Sequence, residues 1–398
     1  MAVTEVQETS YFARLGGAIK GVFTGIILFI VAFPLLFWNE GRAVKRAQTL
    51  AAGASSVISV ESDKVLPENE GKLVHVSGKL VSDATLTDPE FGISVKGIRL
   101  IRKVEMYQWS EKSSSKTEKK LGGGEKKTTV YTYEKTWSDK LIPSAGFKEA
   151  GHDNPEIFPF AAQKWQAGDV KLGAFQLPEN MIGMIGQSKP HELPADYQLT
   201  GGRKGYVRDN VIYIYHVPGK QPQDDSPAVE RAFGTQEIGD VRVTYASVVP
   251  HDVSVVAKQQ GQTFSPFTVK DGTILLMTDS LKSADAMFQS AQKSNSVMTW
   301  ILRIAGFLLM YIGLGMVLRP LSVLADVIPL VGDLIGAGVS LVSFLIAMPC
   351  TLFTIAVAWL FYRPLIAVPL IVIGIAGLVF LIRKRNEAKK RKAAAAAA

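Results

Sequence analysis

The 398-residue chain has a single cysteine, Cys350, inside an apolar run. The rest of the chain can therefore form no disulfide and no thiolate metal site. No Asn-x-Ser/Thr sequon occurs, so a glycosylated or disulfide-stapled ectodomain is excluded. Histidine is scarce as well. His75, His152, His191, His216 and His251 show no HExxH or His-x-His spacing, which leaves a zinc site with little support. There is no Gly-x-Ser-x-Gly elbow, and Gly71-Lys72 and Gly219-Lys220 stand outside any glycine-rich phosphate-binding pattern. The triple glycine Gly122–Gly124 sits among lysines, which reads as a flexible turn.

Charge is missing from two long stretches. Residues 21–38 carry none, and residues 334–360 carry none over 27 positions. Roughly 18 or more uncharged apolar residues suffice to cross a bilayer's hydrocarbon core. A purely soluble, disordered or collagen-like chain is thereby excluded. The net charge of +8 is local: Arg383, Lys384, Arg385, Lys389, Lys390, Arg391 and Lys392 stand against Glu387 alone. Seven minus one gives that segment +6 and leaves +2 for everything else. No folded region is strongly basic, so no nucleic-acid partner is expected; the pattern is that of a membrane protein with a cationic tail facing anionic lipid.

The apolar runs predict four spans, at 21–38, 297–318, 334–360 and 365–382, with Pro34 a tolerated kink in the first. That first run is long for a signal peptide and continues into Phe37, Trp38, Asn39 and Glu40, so it reads as an uncleaved anchor. Four spans put both termini on one side, and the basic tail 383–398 assigns that side to the cytoplasm. The expected order is a cytoplasmic arm 1–20, the first span, an extracytoplasmic domain 39–296, the second span, an amphipathic cytoplasmic-side linker 319–333, and the last two spans. Trp38, Arg303 and Arg363 are the expected contacts at headgroup depth, Arg303 by snorkelling.

The large middle segment is strand-rich. Period-two alternation marks 56–60, 73–80, 98–109, 128–137, 211–217, 241–248, 253–258 and 273–277. In the third of these, Val104, Met106 and Gln108 share one face, while Glu105, Tyr107 and Trp109 share the other. Residues 41–52 read as an amphipathic helix after the first span, and 283 onward as a helix entering the second. The polar, low-complexity stretch 112–127 reads as the mobile tip of a long hairpin. The fold class expected is thus an α+β membrane protein, four transmembrane helices with a mixed strand-rich extracytoplasmic domain between helices 1 and 2.

Asn39–Lys45 (NEGRAVK), Pro67–Leu80 (PENEGKLVHVSGKL), Val104–Trp109 (VEMYQW), Gly239–Tyr245 (GDVRVTY), Ser294-Asn295-Ser296 with Thr299-Trp300, and Phe361–Leu365 (FYRPL) occur in this order. On these stretches the chain resembles the transmembrane protein 43 family, also called LUMA, over nearly its whole length. The resemblance implies a membrane-organising scaffold that self-associates, with no catalytic residues and no cofactor to carry over. The family's animal members belong to the endoplasmic reticulum and inner nuclear membrane, where they are associated with lamins and emerin. The N-terminal arm, hairpin tip and basic tail depart from the family pattern, so those partners are not carried over. Missing sequons and ectodomain cysteines fit a bacterial member, placed in the inner membrane with its domain periplasmic. A eukaryotic member would have the domain in the lumen of the endoplasmic reticulum or at the inner nuclear membrane.

The expected function is a non-enzymatic, homo-oligomeric multi-pass scaffold that also contacts lipid and other membrane proteins. Subunit contacts are expected at Glu40, Arg42, Tyr107, Trp109, Tyr131 and Tyr133. Two alternatives keep named residues. A channel or transporter subunit would use Asp326 and Asp333, although Asp333 more simply caps the third span. A membrane-bound enzyme acting on lipid or envelope polymer would use Glu68, Glu70 or Glu105.

Overall fold

The computed structural model describes residues 2–201, 203–216, 235–270 and 272–369, together with 372 and 376. Strand β1 (Ala2–Thr9) precedes the long helix α1 (Tyr11–Ser56). There follow β2 (Ile58–Val60), β3 (Leu73–Val81), β4 (Thr85–Asp88), β5 (Ile93–Lys96), β6 (Arg99–Lys119) and β7 (Glu125–Ser138). Next come β8 (Gln163–Gln166), β9 (Lys171–Leu172), β10 (Phe175–Gln176) and the short helix α2 (Glu179–Met184). The remaining strands are β11 (Lys189–Pro190), β12 (Gly205–Arg208), β13 (Val211–Ile214), β14 (Val241–Val248), β15 (Asp252–Gln260), β16 (Thr263–Ser265), β17 (Phe267–Val269), β18 (Gly272–Ile274) and β19 (Leu276–Thr278). Helices α3 (Ala284–Ala325) and α4 (Pro329–Tyr362) come last. The fold is mixed α+β with a strand-rich middle. The described residues divide into two compact units, one drawn from 1–7, 51–118 and 126–290, the other from 8–50, 119–125 and 291 onward.

The strand-rich unit holds two main sheets. One runs β1-β7-β6-β14-β13-β12, with β11 and β8 paired at its sides; the other runs β19-β15-β16-β10-β9-β3-β2, with β15 also paired to β3. Alternation sets their inner faces. On β6, Leu100, Arg102, Val104, Met106 and Gln108 are buried, and the antiparallel register sets Val104 against Val243 and Met106 against Val241 of β14. Val74, Val76, Val253 and Val255, on β3 and β15, are wholly inaccessible to water. Arg102, buried in this core, is met by close partners. The Arg102 guanidinium donates to both oxygens of Asp88 (3.1 and 2.9 Å) and to the Ala161 carbonyl (2.9 Å). It lies over the Phe91 and Trp165 rings, and the Tyr245 hydroxyl donates to Asp88 at 2.6 Å. Burial, and then that bond to Asp88, push the Tyr245 hydroxyl well above its ordinary range.

The alternation of β6 ends at Gln108, yet the strand does not. It stays paired with β7 to Lys119, so the stretch expected as a mobile tip is ladder, and only 120–124 form the turn. Cross-strand side chains reinforce it without any core: Ser115 bonds Thr129 at 2.9 Å, and Lys112 pairs with Glu134.

In the helical unit, α1, α3 and α4 are each long and apolar enough to cross a membrane. The first span and the helix at 41–52 are one continuous helix through Pro34. The expected linker is likewise mostly helix, 319–325 extending α3 through Pro320 and 329–333 opening α4, with a short turn between. The expected fourth span lies largely outside the described residues, as does the tail carrying Arg383, Lys384, Arg385, Lys389, Lys390, Arg391 and Lys392. Ala32, Leu36, Met310 and Ala347 form the buried centre of this unit. Glycines let α1 and α3 touch backbone to backbone: a Cβ on Gly25 would lie 2.6 Å from the Gly313 carbonyl oxygen, and one on Gly313 2.7 Å from that of Gly25.

Candidate functional site

The apolar run of α1 ends at Asn39-Glu40-Gly41-Arg42, and there the three helices are tied together. Glu40 is wholly buried. An isolated carboxylate in such a place is very unfavourable, and three donors answer it. Arg303 of α3 donates from Nε (2.6 Å) and Nη2 (2.9 Å), and Trp359 of α4 from Nε1 (2.8 Å). The guanidinium also lies 4.8 Å from the centroid of Trp300 and 5.8 Å from that of Trp359, a desolvated cation–π arrangement. Gly41 leaves room for the Tyr362 ring, since a Cβ there would sit 2.6 Å from Cζ.

A second polar layer, with neutral acceptors around the Arg42 guanidinium, lies beside this pair. Asn39, fully buried, donates from Nδ2 to the Thr299 carbonyl at 3.1 Å. Arg42 donates to Asn39 Oδ1 (3.2 Å), Thr299 Oγ1 (3.1 Å) and Asn295 Oδ1 (3.1 Å), while Asn295 donates back to the Ala43 carbonyl. Two of the sequence stretches quoted above, NEGRAVK and the Asn295–Trp300 region, thus meet in one network, and Tyr362 of FYRPL packs beside it at Gly41. Its chemistry is that of a joint: Glu40 and Arg303 neutralise each other, while the Arg42 guanidinium is held by neutral acceptors at Nη1 and Nη2 and its buried Nε has none.

At the opposite end of the helices stands a second cluster. Arg14 of α1 pairs with Asp326 (2.5 Å) and Glu125 (2.8 Å) and donates to the Gly123 carbonyl. Lys119 bridges Asp326 (2.6 Å) and Asp333 (2.7 Å). Burial raises the Asp326 carboxyl, but the bonds from Lys119 and Arg14 outweigh it and hold the group below the usual aspartate value. Burial likewise lowers the Lys119 ammonium, and the two aspartates more than restore it, leaving it above the usual lysine value. Gly332 makes space for this arrangement, because a Cβ there would fall 1.7 Å from Asp326 Oδ1.

The other singled-out residues are scattered and occupied. Trp38 is 57% exposed on α1, and Arg363 lies over Trp359. Arg303, expected at the headgroups, has its guanidinium bound to Glu40. Tyr107 packs on Trp137, Trp109 against His152 and Lys135, and Tyr133 stacks on His152 and donates to Glu111. The Tyr131 hydroxyl donates to Glu5 at 2.8 Å. Of the acids, Glu105 is clasped by Arg242 (2.6 and 2.8 Å), Glu70 accepts from the Gly261 amide, and Glu68 opens the short turn before β3. His75 is held by its Nε2 against the Lys282 carbonyl (2.8 Å) and by Ser59 and Ser77. Among the described residues, no three of His, Cys, Asp and Glu come together to hold a metal ion.

Sequence reasoning missed Trp359, Arg14 and Lys119. The one available signal was sign: Glu40 and Arg303 are opposite charges at matching borders of two apolar runs, as are Arg14 and Asp326.

Comparison with known proteins places these features in company. A family model described as Transmembrane protein 43 matches residues 106–364. The chain is 35% identical to Transmembrane protein 43 of Rattus norvegicus, over 98% of this chain and 96% of the relative. It is also 35% identical to that of Homo sapiens, over 96% and 94%. The Transmembrane protein 43 homolog of Drosophila melanogaster is 28% identical over 90% and 93%. No solved structure matches.

Proposed function

Because the chain belongs to the transmembrane protein 43 family and is a membrane protein, we propose that it works as a non-enzymatic scaffold that self-associates and organises the membrane around it. The observation that carries this reading is the Glu40 joint. Two of the stretches that carry the resemblance, NEGRAVK and the Asn295–Trp300 region, spend their polar groups on holding α1 to α3, and Glu40 is further bonded to Arg303 and Trp359. A scaffold needs a defined body more than a reactive group, and a buried, fully bonded charge pair is one way to specify a single arrangement of helices. The partners in this reading are further copies of the chain, anionic lipid at the basic tail, and other membrane proteins. It sits in a bacterial inner membrane or, in a eukaryote, in the endoplasmic reticulum or inner nuclear membrane.

Extraction from native membranes directly into lipid nanoparticles, followed by mass measurement, tests the proposal. A defined particle of more than one copy is expected. A clean monomer across concentrations would sink the self-associating scaffold.

A further inference from the structure

Within the helical unit, the Arg42 guanidinium is held in place without being neutralised. Asn295 and Asn39 turn their amide nitrogens to the Ala43 and Thr299 carbonyls, at 2.9 and 3.1 Å, and so present Oδ1 to the arginine. The Thr299 hydroxyl donates to the Asn295 carbonyl at 2.7 Å and keeps its lone pairs for Arg42. All three acceptors are neutral, and each is oriented by a bond of its own. Among the described residues no acid pairs with Arg42, whereas Arg303 has Glu40.

A guanidinium has five N–H groups. Nη2 spends both of its hydrogens, on Asn39 and Thr299, and Nη1 spends one on Asn295, while Nε is shut away from water with no partner. One Nη1 hydrogen is left, on a half-buried side chain. The surroundings carry a single sign: Arg42, Lys45, Arg46 and Lys293 are the charged residues of 41–50 and 291–302, with no acid among them. They follow directly on the uncharged run 21–38. Exposed indoles mark the border, Trp38 one turn before Arg42 and Trp300 next to Thr299. Indoles settle at headgroup level in a bilayer, so Arg42 stands at the depth of lipid phosphates.

We propose that Arg42 is a phosphate-binding residue between α1 and α3, and that its ligand is the headgroup phosphate of an anionic phospholipid. The neutral acceptors fix the guanidinium, and the phosphate supplies the opposite charge that a partly desolvated cation requires. Lys45 and Lys293, both exposed, add attraction for a headgroup of net negative charge. A free phosphate offers the same oxygens but no acyl chains. Those chains have apolar side chains to lie against, since Val297 and Ile301 are exposed on α3 beside the joint. The site is separate from the basic tail, and it goes beyond the scaffold reading without depending on it.

The experiment counts lipid retained by the full chain in a neutral detergent, by native mass spectrometry, with phosphatidylglycerol or phosphatidylcholine supplied. The native chain should retain phosphatidylglycerol in preference. Arg42→Gln should weaken that retention roughly tenfold or more, as the loss of one charge-assisted hydrogen bond implies. Arg42→Lys, which keeps the charge without the planar fork, should fall between. Arg42 also ties α1 to α3, so unfolding midpoints without added lipid show whether each variant folds. Lys45→Gln, outside those bonds, should fold as the native chain does and lower the same preference by a smaller factor. Absence of any preference in the native chain would overturn the proposal, as would equal retention by the native chain, Arg42→Gln and Lys45→Gln. Inorganic phosphate raising the native unfolding midpoint as much as phosphatidylglycerol does would overturn the lipid as its source. A smaller particle in Arg42→Gln with its lipid preference intact would assign Arg42 to a second copy instead. Retention is read per chain, so its failure is separable from failure of self-association.

Discussion

Glu40 is a residue whose sequence setting shows that it matters and hides why. Its position at the border of an uncharged run was legible, and so was that of Arg303. Their bond joins residues 263 apart in the chain, and nothing local reports it. Removing one partner strands the other in an apolar site, so Glu40→Ala should lower stability by about 3–5 kcal/mol. Glu40→Leu combined with Arg303→Met should recover most of that loss, because a buried ion pair and an apolar pair of similar volume are often close in stability. Thermal unfolding of the variants in lipid nanoparticles reads both. If the double variant is no better than Glu40→Ala, the pair contributes something other than mutual neutralisation. The core pair Arg102 and Asp88 was passed over for a related reason: on an alternating strand, Arg102 occupies an inward position that pattern reading assigns to an apolar side chain.

Elements were legible as far as burial writes a period into them. Strand β14 coincides with its expected span, and β3 and β15 differ from theirs by a residue or two. Beyond Gln108, β6 has no core to face, the period vanishes, and a paired strand of lysines and serines looks like a loose tip. Helix α1 was divided at Asn39 because composition changes there, while the backbone bonding runs on unbroken to Ser56. Its packing depends on absent side chains. Gly25→Val should force the α1–α3 crossing apart, with a cost of about 1–3 kcal/mol or more. Gly17→Val, where a Cβ meets nothing within 4 Å, should be close to silent. Equal effects at the two positions, measured as shifts in the unfolding midpoint, would remove the close-contact explanation.

For the whole molecule, the apolar runs and the strand-rich middle gave the class, whereas the joining of β1 to the sheet was hidden in a short polar arm. The Arg14–Asp326–Lys119 cluster ties its own titration to global stability. Asp326 is held below its ordinary value, so its contribution is present above the usual carboxylate range and is lost as pH falls through the depressed value. Lys119 is held above its ordinary value, so its contribution persists below about 10.4 and is lost as pH rises through the raised one. The stability gap between the native chain and Asp326→Asn should therefore be flat around neutrality and close on acidification. Unfolding midpoints across pH check the sign; a gap that widened in acid would contradict the bonded geometry.

Strand β1 leaves the ribosome well before its neighbour in the sheet, β7, which begins only at Glu125. At roughly 5–20 residues per second, synthesis of the intervening chain takes on the order of ten seconds. Throughout that interval the eight residues of β1 have no sheet to join, and α1 meets lipid with Arg14 still lacking Asp326. Lipid insertion of α1 therefore precedes its fastening, and the arm closes the sheet as a late, post-insertion event, like a clasp fitted after the garment is on.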